Sequence, residues 1–129
     1  MAEKILVVDD EPAVGAAIAD SLRSAGYEPE TATDGVTALS LISATTYDLI
    51  VSDVAMPGLT GLQLLALIKA RHPSPEVILI TAFSTADVAA EALEHGAFGY
   101  LEKPFDTAEL LERVKQALWK RRVTVGQTP

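Results

Sequence analysis

The sequence predicts a doubly wound α/β fold, a five-stranded parallel sheet with helices on both faces. Five short apolar runs alternate with five segments of helical period, the pattern of successive β-α units joined by right-handed crossovers. Breakers rich in Pro, Gly and Asp separate them. The run Val77-Ile78-Leu79-Ile80 contains no polar residue, as a central strand covered on both faces requires.

Lys4 to Val8 is the first strand, and it ends abruptly in Asp9-Asp10-Glu11-Pro12. Pro12 suits a first helical turn, and Val14, Ile18 and Leu22 repeat at helical spacing until Gly26 stops them. Glu28 to Ala32 is the second strand, and Thr33-Asp34-Gly35 opens a helix with Ala38, Leu39 and Ile42 on its inner face. Leu49 to Val51 is too short for a helix and leads into Asp53 and then Met56-Pro57-Gly58, so it reads as a buried strand whose end presents an acid. Thr60-Gly61-Leu62-Gln63 has the form of a capping box for a helix that runs to about Arg71, before Pro73 and Pro75. Glu76 to Thr81 is the fourth strand. Ser84 to Glu94 is an alanine-rich helix that buries little area and suggests a mobile element, closed by His95-Gly96. Gly99 to Glu102 is a short fifth strand ending at Lys103-Pro104. Asp106-Thr107-Ala108-Glu109 caps a last helix with Leu110, Val114 and Leu118 inward. Beyond Trp119 the residues turn basic and then polar, so residues 1–120 read as one domain and 121–129 as a tail or the start of a linker.

Composition narrows the function. A chain of 129 residues builds one core without staples. A net charge of -8 argues against direct binding to nucleic acid or anionic membrane and favours a protein partner or a cation. The absence of cysteine excludes disulfides, thiol catalysis and cysteine zinc sites. Two histidines, His72 and His95, both next to helix-ending residues, argue against a histidine metal centre. No run reaches membrane-spanning length and the first residues lack a basic lead and apolar core, so the expectation is a soluble, cytoplasmic protein.

In such a sheet all strands end on one edge, where ligands bind. Asp9, Asp10, Asp53, Thr81 and Lys103 meet there. Singly, each has a plain structural role: a solvated helix start, a turn former, a cap, an exposed lysine. Together they match a chemical need. Carboxylates about 4 Å apart repel by roughly 4 kcal/mol per pair at an effective dielectric of 20, which implies a bound cation. Mg²⁺ fits best, since it takes one or two carboxylates plus waters and phosphate oxygens. With the cluster screened, Asp53 can attack a phosphoryl group to form an aspartyl-phosphate, with Lys103 and Thr81 on the phosphoryl oxygens.

The chain resembles the response-regulator receiver domains of two-component signalling over Lys4 to about Lys120. The carrying motifs are Ile5-Leu6-Val7-Val8-Asp9-Asp10-Glu11, Asp53 with Met56-Pro57-Gly58 and Gly61, Ile80-Thr81-Ala82, and Leu101-Glu102-Lys103-Pro104-Phe105. The resemblance implies a flavodoxin-like strand order 2-1-3-4-5 and a cis bond before Pro104. It implies Asp53 as phosphoacceptor, Mg²⁺ on Asp10, Asp53 and the Ala55 carbonyl, Asp9 acting mostly through water, and Thr81 and Lys103 on the phosphoryl group. It further implies a sensor histidine kinase or phosphotransfer protein as phosphodonor. It implies Thr81 and Tyr100 as the switch of a face built from the fourth helix, fifth strand and fifth helix, used by a homodimer mate or an effector. The positions that by the same resemblance tune phosphoryl lifetime are Ala55 and Phe83; neither orients an attacking water, so the expectation is a long-lived phosphoryl group.

Two other classes share parts of this pattern. A flavodoxin-like cofactor binder offers hydroxyls and backbone donors after its first strand, where Asp9-Asp10-Glu11 repels phosphate unless metal intervenes. A hydrolase working through an aspartyl-phosphate carries a second acid two residues after its nucleophile, and here that residue is Ala55. A receiver that only binds, without accepting phosphate, is a third alternative.

Overall fold

The computed structural model describes residues 2–82 and 86–124. Strands β1 (Lys4–Val8), β2 (Glu28–Ala32), β3 (Leu49–Asp53), β4 (Glu76–Thr81) and β5 (Gly99–Glu102) alternate with helices α1 (Pro12–Ser24), α2 (Gly35–Ala44), α3 (Gly61–Arg71), α4 (Ala86–Glu94) and α5 (Thr107–Thr124). Every pairing is parallel, and the strand order is β2-β1-β3-β4-β5.

The two-residue period of a strand divides the core between the faces of the sheet. Leu6, Val8, Ile50, Val77 and Leu79 pack with Ala38 and Ile42 of α2, Leu64, Leu65 and Ile68 of α3, and Ala92 of α4. Their neighbours Ile5, Val7, Leu49, Val51, Ile78 and Ile80 pack with Ile18 and Leu22 of α1 and with Leu110, Val114, Ala117 and Leu118 of α5. Helix α4 contributes a single fully buried residue, Ala92, to this core. It is the most lightly anchored of the five, as its small side chains require.

Local chemistry starts the helices where the sequence places them. Asp34 accepts the Thr37 N–H at 2.7 Å, and Asp106 accepts the Glu109 N–H at 2.7 Å. Both halves of the capping box form, with Thr60 N–H donating to Gln63 Oε1 at 2.9 Å and Gln63 N–H donating to Thr60 Oγ1 at 3.2 Å.

The described part of α4 begins at Ala86, and the start expected at Ser84 lies outside the described residues. One boundary differs from expectation: the segment from Arg121, expected as a tail, is helical to Thr124. Its physical cause is a set of three consecutive cations at the helix end: Lys120 reaches Glu76 at 3.7 Å, Arg121 reaches Asp48 at 2.8 Å, and Arg122 reaches Glu3 at 3.1 Å. Positive charge there also complements the negative end of the helix dipole.

Both edges of the sheet carry blocking groups. Outer strand β2 exposes Glu28 and Glu30 around Pro29. On outer strand β5, the Arg113 guanidinium donates to the Tyr100 carbonyl at 3.3 Å. Among the described residues, no helix is long and apolar enough to cross a membrane.

Candidate functional site

Register brings the acids together. Val8 of β1 pairs with Ser52 of β3, so Asp9 and Asp53 stand side by side one residue further on. The ladder continues past the strand ends, with Asp9 N–H donating to Ala32 O at 3.1 Å and Val54 N–H donating to Ile80 O at 2.8 Å. Lys103 arrives from β5 in the same way, its N–H donating to Thr81 O at 2.8 Å.

Asp9, Asp53 and Thr81 are 1%, 4% and 4% exposed, so this edge is a recess and not a solvated rim. Carboxylate oxygens of Asp9, Asp10 and Asp53 lie within 4.8 Å of one another, with Asp10 on the open side. Lys103 Nζ lies 3.2 Å from Asp9 Oδ2 and 3.2 Å from Asp53 Oδ2. The remaining oxygens are oriented by backbone: Glu11 N–H donates to Asp9 Oδ1 at 2.9 Å, and Ala55 N–H to Asp53 Oδ1 at 3.2 Å.

Electrostatics show how crowded the recess is. Burial pushes the Asp53 carboxyl above its ordinary value; Lys103 and the Ala55 N–H oppose this without reversing it, and Asp9 adds to it. For Lys103, burial works against the charged form, but the Asp53 charge and the hydrogen bonds to both aspartates prevail and hold the ammonium above its ordinary value. Three carboxylates against one ammonium leave negative charge in excess. All the donors are hard oxygens and one side is open to water, which is the donor set of a small divalent cation. The residues present therefore fit a cation site.

The other residues singled out from the sequence are distributed as follows. Thr81 ends β4, buried, opposite Glu102 in the β4-β5 register. Tyr100 sits in the middle of β5, half-buried, against the cluster that includes α2, α3 and α4. Ala55 lies in the turn after Asp53, and Lys103-Pro104 is a cis peptide bond. Phe83 lies outside the described residues. Sequence reasoning did not reach the Glu11 N–H as the group that orients Asp9, although the short Asp-Asp-Glu turn was its signal. Nor did it assign a purpose to Gly61.

Comparison with known proteins places this geometry in a class. The response regulator receiver domain model matches residues 5–115. The chain belongs to the response-regulator receiver domain family. It is 40% identical over 129 residues to the response regulator protein FleR of Pseudomonas aeruginosa, covering all of this chain and 26% of that protein. The chain thus spans about a quarter of the length of that relative. A CheY-like receiver domain protein from Methanospirillum hungatei superposes with a TM-score of 0.92 at 27% identity, covering 96% of this chain and 99% of that one. The beryllofluoride-activated NtrC4 receiver domain dimer matches with a TM-score of 0.87 at 35% identity, covering 92% of this chain and 98% of that one.

Proposed function

We propose that this receiver domain takes a phosphoryl group onto Asp53 from a sensor histidine kinase or phosphotransfer protein, with Mg²⁺ as cofactor. The observation that carries the reading is the cluster of Asp9, Asp10 and Asp53 within 4.8 Å, bridged by Lys103 at 3.2 Å to two of them. Residues 1–120 form the phosphoacceptor unit in this reading. In this reading Asp10, Asp53 and the Ala55 carbonyl would hold the metal, with Asp9 acting through water. When bound, the metal supplies charge neutralisation between the carboxylates and an incoming phosphoryl oxygen.

The chain's own groups do the rest. One Asp53 oxygen attacks phosphorus, the bond to the donor's leaving group breaks, and the phosphoryl group ends on the carboxylate. Lys103, already between the two aspartates, turns to an equatorial phosphoryl oxygen, and the Thr81 hydroxyl donates to another. That last contact exists only in the modified state, so it biases a two-state equilibrium. Tyr100 reports the change on the face formed by α4, β5 and α5, the surface proposed for a homodimer mate or an effector. The dimer of the NtrC4 receiver supports a dimeric outcome. With Ala55 and Phe83 at the two tuning positions, neither able to orient water, the phosphoryl group is long-lived. The domain makes no direct contact with nucleic acid or membrane in this reading and works in the cytoplasm.

The test is labelling with acetyl phosphate. Wild type accepts phosphate only with Mg²⁺, Asp53→Asn accepts none, and Asp10→Asn binds Mg²⁺ more weakly and labels slowly. Labelling of Asp53→Asn at the wild-type rate would falsify the assignment.

A further inference from the structure

We propose that Gly61 is a positioning residue for Asp53, an inference that rests on the phosphoacceptor reading above. Gly61 opens α3 directly against the turn that follows β3. A Cβ at this position would lie 2.2 Å from the Asp53 carbonyl oxygen, 2.8 Å from Val54 Cα and 2.9 Å from the Asp53 carbonyl carbon. Side-chain carbons essentially never approach other heavy atoms within 3.0 Å, and all three neighbours here are backbone atoms that cannot swing aside. The need is for space and not for an unusual backbone: positive φ occurs at Gly26, Gly58 and Gly96, and Gly61 is not among them.

The same residue holds what it touches. Gly61 N–H donates to Val54 O at 2.9 Å, while Val54 N–H donates to Ile80 O at 2.8 Å. The Val54 residue is thereby fixed between α3 and β4. The next N–H, that of Ala55, donates to Asp53 Oδ1, so the reacting carboxylate is aimed by a backbone that Gly61 backs. A second glycine bounds the far end of the loop: a Cβ on Gly35, the first residue of α2, would lie 2.8 Å from Leu59 Cβ and 2.9 Å from Leu59 O. Close approach is not shared by every glycine near the site. A Cβ on Gly15 in α1 would meet only Asp9 Cβ, at an ordinary 3.8 Å.

A methyl group at position 61 must therefore drive the Asp53 backbone away by most of an ångström. Misplacement of about 1 Å costs on the order of 100-fold in rate. Gly61→Ala should be labelled by acetyl phosphate about 100-fold more slowly in saturating Mg²⁺, with the Val54 and Ala55 amide signals shifted. Gly15→Ala should label at the wild-type rate and melt a few degrees higher, since it removes a helix-interior glycine. The double variant Gly15→Ala, Gly61→Ala separates placement from stability: the regained melting temperature should leave labelling slow. Wild-type labelling of Gly61→Ala, or recovery of labelling together with stability in the double variant, overturns the proposal. If Gly61→Ala does not fold, Gly35→Ala carries the test by pressing on the same loop through Leu59. Slow labelling with moved Val54 and Ala55 amides then supports the proposal, and wild-type labelling overturns it. If wild type itself takes no phosphate, the phosphoacceptor reading fails. Displacement of the Asp53 carboxyl and Lys103 signals in the glycine variants then still decides the placement.

Discussion

At the strand-start edge of the sheet, Glu3, Asp48 and Glu76 each face a cation from the last turns of α5, at 3.1, 2.8 and 3.7 Å. At the strand-end edge, Asp9, Asp10 and Asp53 crowd within 4.8 Å around Lys103. The same fold thus gathers a cluster of three acids at each end and neutralises only one of the two clusters pair by pair. The matched edge fastens a helix. The crowded edge holds its carboxylates in a desolvated recess where burial, and to a lesser degree Asp9, disfavours the Asp53 charge; in the reading proposed above, a cation and a phosphoryl group complete it.

The largest expected effect lies on the matched edge. Arg121 is a 12% exposed side chain paired with Asp48 and also donating to Ser74 Oγ at 3.1 Å. Arg121→Ala should lower stability by about 2 kcal/mol, between the values for buried and for surface pairs, and leave labelling unchanged. Urea unfolding measures it; a loss below about 0.5 kcal/mol, the level of an exposed pair, would end the contrast.

Next comes the crowded edge, with the opposite sign. Because burial and Asp9 disfavour the Asp53 charge, Asp53→Asn in chelator should melt a few degrees above wild type. Added Mg²⁺ should then raise the melting temperature of wild type and not of the variant. A variant that melts below wild type in chelator would mean that Lys103 already balances the cluster.

The smallest effect tests an exception within the matched edge. Lys69 Nζ donates to Pro75 O at 2.9 Å, and burial pushes its ammonium below the ordinary 10.5, with Glu76 opposing and Lys120 adding to the shift. A lysine with a depressed folded value is a liability while charged, and the liability fades as pH rises toward the ordinary lysine range. Wild type should gain stability relative to Lys69→Met between about pH 7 and about pH 10. A difference independent of pH would show that Lys69 acts through its aliphatic stem alone.

Much of this was legible in the residues because it depends on near neighbours. Capping at Thr60 and Gln63, the strand runs and the glycine stops are all written within a few positions. The acid cluster was legible too, since parallel strands must all end on one side. What could not be read was partnership across the chain. Lys120, Arg121 and Arg122 look like a basic tail until Glu76, Asp48 and Glu3 are placed under them by the strand register. Gly61 likewise stands in the sequence only as part of a capping-box segment and of a motif, and its need for space shows only when the Asp53 carbonyl oxygen is placed 2.2 Å from where its Cβ would be.

The guarded margins of the sheet set how this protein can meet others. Proline and two glutamates on β2, and a guanidinium occupying a carbonyl on β5, remove the two places where a foreign strand would add by backbone pairing. Contact is left to side chains, those that β5 presents between α4 and α5 included. Such side chains can change residue by residue while the backbone pairing of the sheet stays intact.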